Sequence, residues 1–303
     1  MYFYDERHQG KGADALCSLR LRHLLAKIKQ NQKNGICPKL SMTLLDNCVG
    51  QNKSQVVMKF ACFISLFFYE TVALMYFLPG HTHMIPDRIV ADCKNAIKGL
   101  NLYTLGQITE QCNKVKNVNA VLLKPDDSDS PFRVNWGSFL NKHFRQLPSG
   151  YTENHFFEFS GGCVTFRRLA TTPDSEASYL RMINPTPGTK TGLLMELFGK
   201  PDLGSLSMLD LTLPVNPGRT LTQKKLKSLA QKYRTIPDCH IEYYPKYIPV
   251  PQRSVKQGHV SSVKRKRDGP CDAPSVKRKV GRPKKVIPPP KGLRSITTYF
   301  RSG

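Results

Sequence analysis

The spacing of apolar residues changes several times along this chain, and each change predicts an element. Tyr2-Phe3-Tyr4 is a short aromatic run with strand character. Gly10-Lys11-Gly12 interrupts it. Leu16, Leu19, Leu24, Leu25 and Ile28 then recur at helical spacing, with Arg20, Arg22, Lys27 and Lys29 mostly on the opposite face. This predicts a helix over residues 13–30, ended by Asn34-Gly35. Leu40-Ser41-Met42-Thr43-Leu44-Leu45 reads as a strand that stops at Asp46, before the polar loop 47–53. Ser54 is placed to cap a helix over 55–70 that is apolar on nearly every side and therefore buried. Residues 72–78 read as a buried strand stopped by Pro79-Gly80. Pro86 suits the first turn of a helix running to about Lys98, with Gly99 past its end.

Strands that alternate with helices predict an α/β layer with parallel pairing over residues 1–110, the first unit of the chain. Residues 111–250 form a second, α+β part. Residues 118–123, 155–159 and 163–166 read there as short strands, and 221–233 as a terminal helix. Leu226, Leu229, Ala230 and Tyr233 make the apolar stripe of that helix, and Lys224, Lys225, Lys227 and Lys232 its basic surface. From residue 251 the apolar pattern stops, and no aromatic appears until Tyr299. Such a segment buries too little apolar area to offset its chain entropy, so residues 251–303 are expected to be a disordered tail.

Charge sharpens this division. Of a formal net charge of +24, the tail carries +13, from 15 Lys and Arg against Asp268 and Asp272, which leaves +11 for the first 250 residues. A basic body joined to a more basic tail points to a polyanionic partner, and a nucleic acid is the first candidate, because neutralised phosphates release counterions.

The 9 cysteines are odd in number and none has CxxC spacing, so reduced thiols are expected rather than disulfides or a zinc finger. The first residues, Met1-Tyr2-Phe3-Tyr4-Asp5-Glu6-Arg7, lack the apolar core of a signal peptide. Residues 56–78 raise the membrane question, but Lys59, Ser65 and Glu70-Thr71 interrupt them. A buried helix followed by a strand explains them better, and no membrane partner is expected.

Two acids stand out by position. Asp46 ends an apolar strand, and Asp87 sits in the first turn of the helix that follows the next strand. In open α/β sheets functional groups gather at the carboxyl ends of strands. Two carboxylates brought there could share Mg²⁺, which takes oxygen ligands and can clamp a phosphodiester undergoing cleavage. Each acid also has a simpler role: Asp46 can cap a turn with Asn47, and Asp87 can offset the helix dipole.

The block Asp46-Asn47-Cys48-Val49-Gly50-Gln51-Asn52-Lys53-Ser54, followed by Gly80-His81-Thr82 and then Asp87, resembles a family of uncharacterised eukaryotic domains. These are often found in transposon-derived proteins. Their pattern is DNC-x-GQNK-[NS], a strand, then GHT with an Asp five residues past the Thr. The resemblance spans roughly residues 2–245. That family in turn is similar to the RNase H-like transposases and integrases, whose acids hold Mg²⁺. The resemblance implies a partial RNase H-like sheet with flanking helices, with Asp46 as the second acid and Asp87 as the third. His81 and Thr82 fall on the GHT signature; His83 falls at a variable position and takes no role. RNase H-like folds carry their first acid on the first strand of an antiparallel three-strand unit. Tyr2-Phe3-Tyr4 reads as the third strand of such a unit, so two strands and the first acid are missing by this reading. The chain thus resembles an N-terminally truncated or domesticated transposase.

The tail carries three further resemblances. Lys264-Arg265-Lys266-Arg267 and Lys277-Arg278-Lys279, nine residues apart, resemble a bipartite nuclear import signal, which implies an import receptor as partner and a nuclear location. Gly281-Arg282-Pro283-Lys284-Lys285 resembles an AT-hook, which lies in the minor groove of A·T-rich DNA; Lys284 stands where the motif has a second Arg. Ile296, Tyr299 and Phe300 resemble the short plug that docks on the DNA sliding clamp, with Leu293 where a Gln is usual. Three readings follow: a transposase-derived DNA-binding protein of the nucleus, an active Mg²⁺-dependent endonuclease or strand transferase, and a nuclear scaffold that recruits the sliding clamp.

Overall fold

The computed structural model describes residues 1–8, 10–78, 85–124, 134–184, 190–201, 203, 206–216 and 220–244. Its central feature is a five-stranded mixed sheet flanked by helices. In chain order the elements are β1 (Tyr2–Phe3), α1 (Ala13–Lys33), β2 (Leu40–Leu45), α2 (Gln55–Phe67), β3 (Thr71–Tyr76), α3 (Ile85–Ile97), α4 (Leu105–Cys112) and β4 (Val121–Leu122). There follow α5 (Trp136–His143), β5 (Phe156–Ser160), β6 (Cys163–Arg167), β7 (Ser178–Arg181), α6 (Lys190–Phe198), α7 (Gln223–Ala230) and α8 (Asp238–Ile241).

The sheet order is β2-β3-β5-β6-β7. β2 and β3 pair in parallel, Leu45 opposite Tyr76, and β3, β5, β6 and β7 are joined antiparallel. The sheet therefore takes strands from both sides of residue 110, and parallel pairing is confined in it to β2 and β3. The antiparallel three-strand unit follows the parallel pair in sequence. The Tyr2-Phe3 strand does not join this sheet as a neighbour of β2. It pairs in parallel with β4 in a separate two-stranded sheet. That small sheet has its own partners: Phe3, Ile89, Ile97, Ile108, Val115 and Val118 pack around the buried Cys93, Cys112 and Ala120 of α3, α4 and the approach to β4.

Period-2 alternation sorts the main sheet into two faces. Val72, Leu74, Tyr76, Phe157, Phe159, Val164 and Phe166 point to the buried face, and α1, α2 and α5 pack into the same core. On the other face of the edge strand β2, Leu40, Met42 and Leu44 are exposed. α2 is buried on nearly all sides, as its composition predicts, and Ser54 caps it by accepting from the Val57 N–H. The helix ends at Phe67 rather than Glu70, because the Glu70 and Thr71 N–H groups both donate to Lys39 O at the start of the parallel pair. α5, which periodicity does not reveal, brings Trp136 into the core, where its indole N–H donates to Ser18 Oγ at 3.0 Å and its ring meets Phe60 edge-on at 4.9 Å. The β5–β6 hairpin turns on Gly161 and Gly162, at φ +55° and +86°, the left-handed pair that a two-residue hairpin requires.

Candidate functional site

The signature block folds as the connection from β2 to α2. The N–H groups of Gln51, Asn52 and Lys53 all turn back onto the Cys48 carbonyl, at 3.2, 2.9 and 3.3 Å. The Asn52 side chain donates to the Asp46 carbonyl at 3.1 Å, and the Asn52 carbonyl accepts from the Tyr76 hydroxyl at 2.7 Å. The loop leaving β2 is thereby fastened to the end of β3. Further along, Gln55 makes a reciprocal pair with the backbone of Leu147: its Nε2 donates to the carbonyl at 3.1 Å and its Oε1 accepts from the N–H at 2.9 Å. Asn, Lys, Ser and Gln in this block thus hold backbone that no regular strand or helix satisfies. Asn47 Oδ1 is the exception, buried with no hydrogen-bond partner among the described residues.

Lys53 is the least expected member. Its side chain is fully buried, its ammonium donates to Thr152 O at 2.7 Å, and it lies 4.8 Å from the centroid of the Tyr76 ring. The Tyr151 hydroxyl donates to the Lys53 carbonyl at 2.6 Å. No carboxylate pairs with this ammonium among the described residues, and burial pulls its pKa down to about 8. Burial likewise pushes the Tyr76 phenol above its ordinary range. Arg20 of α1 acts electrostatically on the same phenol, and burial lowers its own pKa. Lys59 of α2 is a further buried cation, donating to Asn141 Oδ1 at 2.6 Å with its pKa lowered by burial. The folded body therefore hides cations against neutral oxygens and a ring, an arrangement that costs free energy until an anion approaches or the amine loses its proton.

Asp46 follows the last residue of β2 and is exposed; Asp87 is in the first turn of α3 and is also exposed. The segment between β3 and α3 that carries His81, Thr82 and His83 lies outside the described residues. Among the described residues no group of three or more His, Cys, Asp or Glu side chains could hold a metal ion. Mg²⁺ usually keeps several waters, so Asp46 and Asp87 would be at most two of its ligands, with water and substrate oxygens completing the shell. The import clusters Lys264–Arg267 and Lys277–Lys279, the segment Gly281–Lys285, and Ile296, Tyr299 and Phe300 also lie outside the described residues. The 8 described cysteines are free thiols. No described helix is long and apolar enough to cross a membrane.

Lys53 and Tyr76 were visible in the sequence as a motif lysine and an apolar strand position, but nothing there pairs them. Their meeting depends on the parallel register that sets Leu45 beside Tyr76.

The geometry defines a mixed α/β protein whose most distinctive loop is wired into its own core. The chain belongs to the DUF7869 family, a domain of unknown function, whose family model matches residues 2–166. The match stops within β6, short of the residue 245 to which the signature's resemblance was read. No curated protein matches the chain, and no solved structure does.

Proposed function

We propose that this is a DNA-binding protein of the nucleus, derived from a transposase with an RNase H-like ancestry, and that it binds DNA without depending on cleavage. The observation that carries the proposal is the charge: +24 over 303 residues, more than half of it in a tail whose basic runs match import and minor-groove motifs. Phosphate neutralisation supplies affinity without sequence information, and Arg282 between Gly281 and Pro283 is the residue placed to enter a narrow A·T groove. An import receptor would read residues 264–267 and 277–279, and the sliding clamp is a further partner through Ile296, Tyr299 and Phe300. The test is a gel-shift comparison of A·T-rich and G·C-rich duplexes with the full chain and its Arg282→Ala variant. The proposal expects an A·T preference that the variant loses. Equal binding of both duplexes by the unaltered chain would remove the groove-binding assignment.

The second reading, a Mg²⁺-dependent endonuclease, rests on Asp46 and Asp87 alone. A metal-dependent nicking assay on plasmid DNA decides it: nicking by the unaltered chain that Asp46→Ala abolishes would replace the first reading with the second.

A further inference from the structure

Between α1 and the sheet lies a half-open cavity of about 530 Å³. Its polar lining comes from Arg20, His23 and Lys27 of α1, Ser41 and Thr43 of β2, and Tyr69. Residues 20, 23 and 27 are three and four positions apart, so they share one face of the helix. The rest of the lining is mostly apolar, and no carboxylate contributes to it. The one acid of α1, Asp14, is engaged elsewhere: it accepts from the Gly137 N–H at 3.0 Å and from the Asn216 side chain at 3.4 Å.

Arg20 is partly buried; it acts electrostatically on the Tyr76 phenol, and no carboxylate pairs with it among the described residues. Its guanidinium keeps some contact with water and lines the cavity without a counter-ion, so an entering anion would give it a charged partner. The planar fork of Arg matches the oxygens of a phosphate, and the Thr43 hydroxyl can donate to the same group, whereas the Ser41 hydroxyl is engaged by Tyr69. A volume within roughly 300–1,000 Å³ and an apolar floor suit a small organic molecule rather than a bare ion.

We propose that this cavity binds a phosphate-bearing organic ligand of nucleotide size. The phosphate sits between Arg20 and Lys27, and the ring lies over the apolar floor toward Tyr69. This site shares no residue with Asp46, Asp87 or the tail, so it goes beyond the DNA-binding reading and stands or falls apart from it.

Calorimetric titration of the full chain with adenosine monophosphate, adenosine and inorganic phosphate tests the proposal. Adenosine monophosphate should bind, and adenosine should bind at least about tenfold more weakly. Arg20→Met replaces an unpaired cation with an apolar side chain of similar length, and should weaken the nucleotide about tenfold or more while the thermal unfolding temperature holds. Lys27→Ala, at an exposed position, should weaken it in the same direction and gives a readout that does not depend on the core. Arg282→Ala should change nothing here. Failure of the unaltered chain to bind the nucleotide, or binding by Arg20→Met and Lys27→Ala as tight as that of the unaltered chain, overturns the proposal. A single-stranded oligonucleotide with a terminal phosphate is then added as competitor. Displacement of the nucleotide assigns the site to nucleic acid ends, and no displacement assigns it to free nucleotides; the phosphate site stands in both cases.

Discussion

The Tyr76 hydroxyl donates to the Asn52 carbonyl at 2.7 Å, so the last residue of β3 holds the middle of the loop that leaves β2. Removing that donor leaves a loop carbonyl without its partner. Tyr76→Phe is predicted to destabilise the fold by about 1–3 kcal/mol, measured by chemical denaturation. An unchanged unfolding midpoint would mean that the loop is held by its other bonds alone.

Lys53 predicts a pH dependence with a definite sign. Its folded pKa, about 8, lies below the ordinary lysine value of 10.5. Below pH 8 both states are charged there, and the folded state bears the cost of burying the cation. Between those two values the unfolded chain binds more protons than the folded one, so stability rises with pH. Relative to Lys53→Met, the unaltered chain should gain about 2–3 kcal/mol from pH 8 to pH 10.5, followed by urea unfolding of both at each pH. Parallel curves for the two proteins would contradict the buried-cation account.

The hairpin glycines separate strain from crowding. Both have positive φ, but a Cβ on Gly162 would lie 3.0 Å from Ile183 Cγ2, whereas one on Gly161 would meet nothing within 4 Å. Gly161→Ala is predicted to cost about 1 kcal/mol from backbone strain alone, and Gly162→Ala more, about 2–4 kcal/mol. Equal unfolding midpoints for the two variants would show that Ile183 yields without cost.

Much of the sheet was legible because its segments carry strong local signals. β2 matches its predicted bounds, and Ser54 caps α2 where the pattern places it. Gly99, at φ +77°, follows α3 as expected. What escaped was short or set by distant partners. α4 begins with a capping box, Thr104 with Gln107, which was readable in principle but heads only eight residues. α5 is recognisable only once Trp136 is seen to fill the space between α1 and α2. Tyr2-Phe3 is a strand, as its aromatic run predicts, but not the third strand of an antiparallel unit, since its parallel pairing with the distant Val121-Leu122 leaves no local trace. The charge of Lys53 suggests an exposed residue, and its burial is decided by Thr152 and Tyr76.

Asp46 is exposed, and only its backbone carbonyl is engaged by the loop, through Asn52. Asp46→Ala is therefore predicted to change stability by no more than about 0.5 kcal/mol. It should also leave the heat of Mg²⁺ titration unchanged. A loss of Mg²⁺ binding in this variant would point to ligands converging on Asp46 and would favour the endonuclease reading.

Binding of a labelled A·T-rich duplex by the full chain, followed by fluorescence anisotropy from low to high salt, tests the central claim most directly. The account predicts tight binding at low salt and a linear fall of log affinity with log salt concentration, with a slope made shallower by about one for each phosphate-contacting Lys or Arg removed from residues 264–285. No binding at low salt, or a slope that those substitutions leave unchanged, would contradict it.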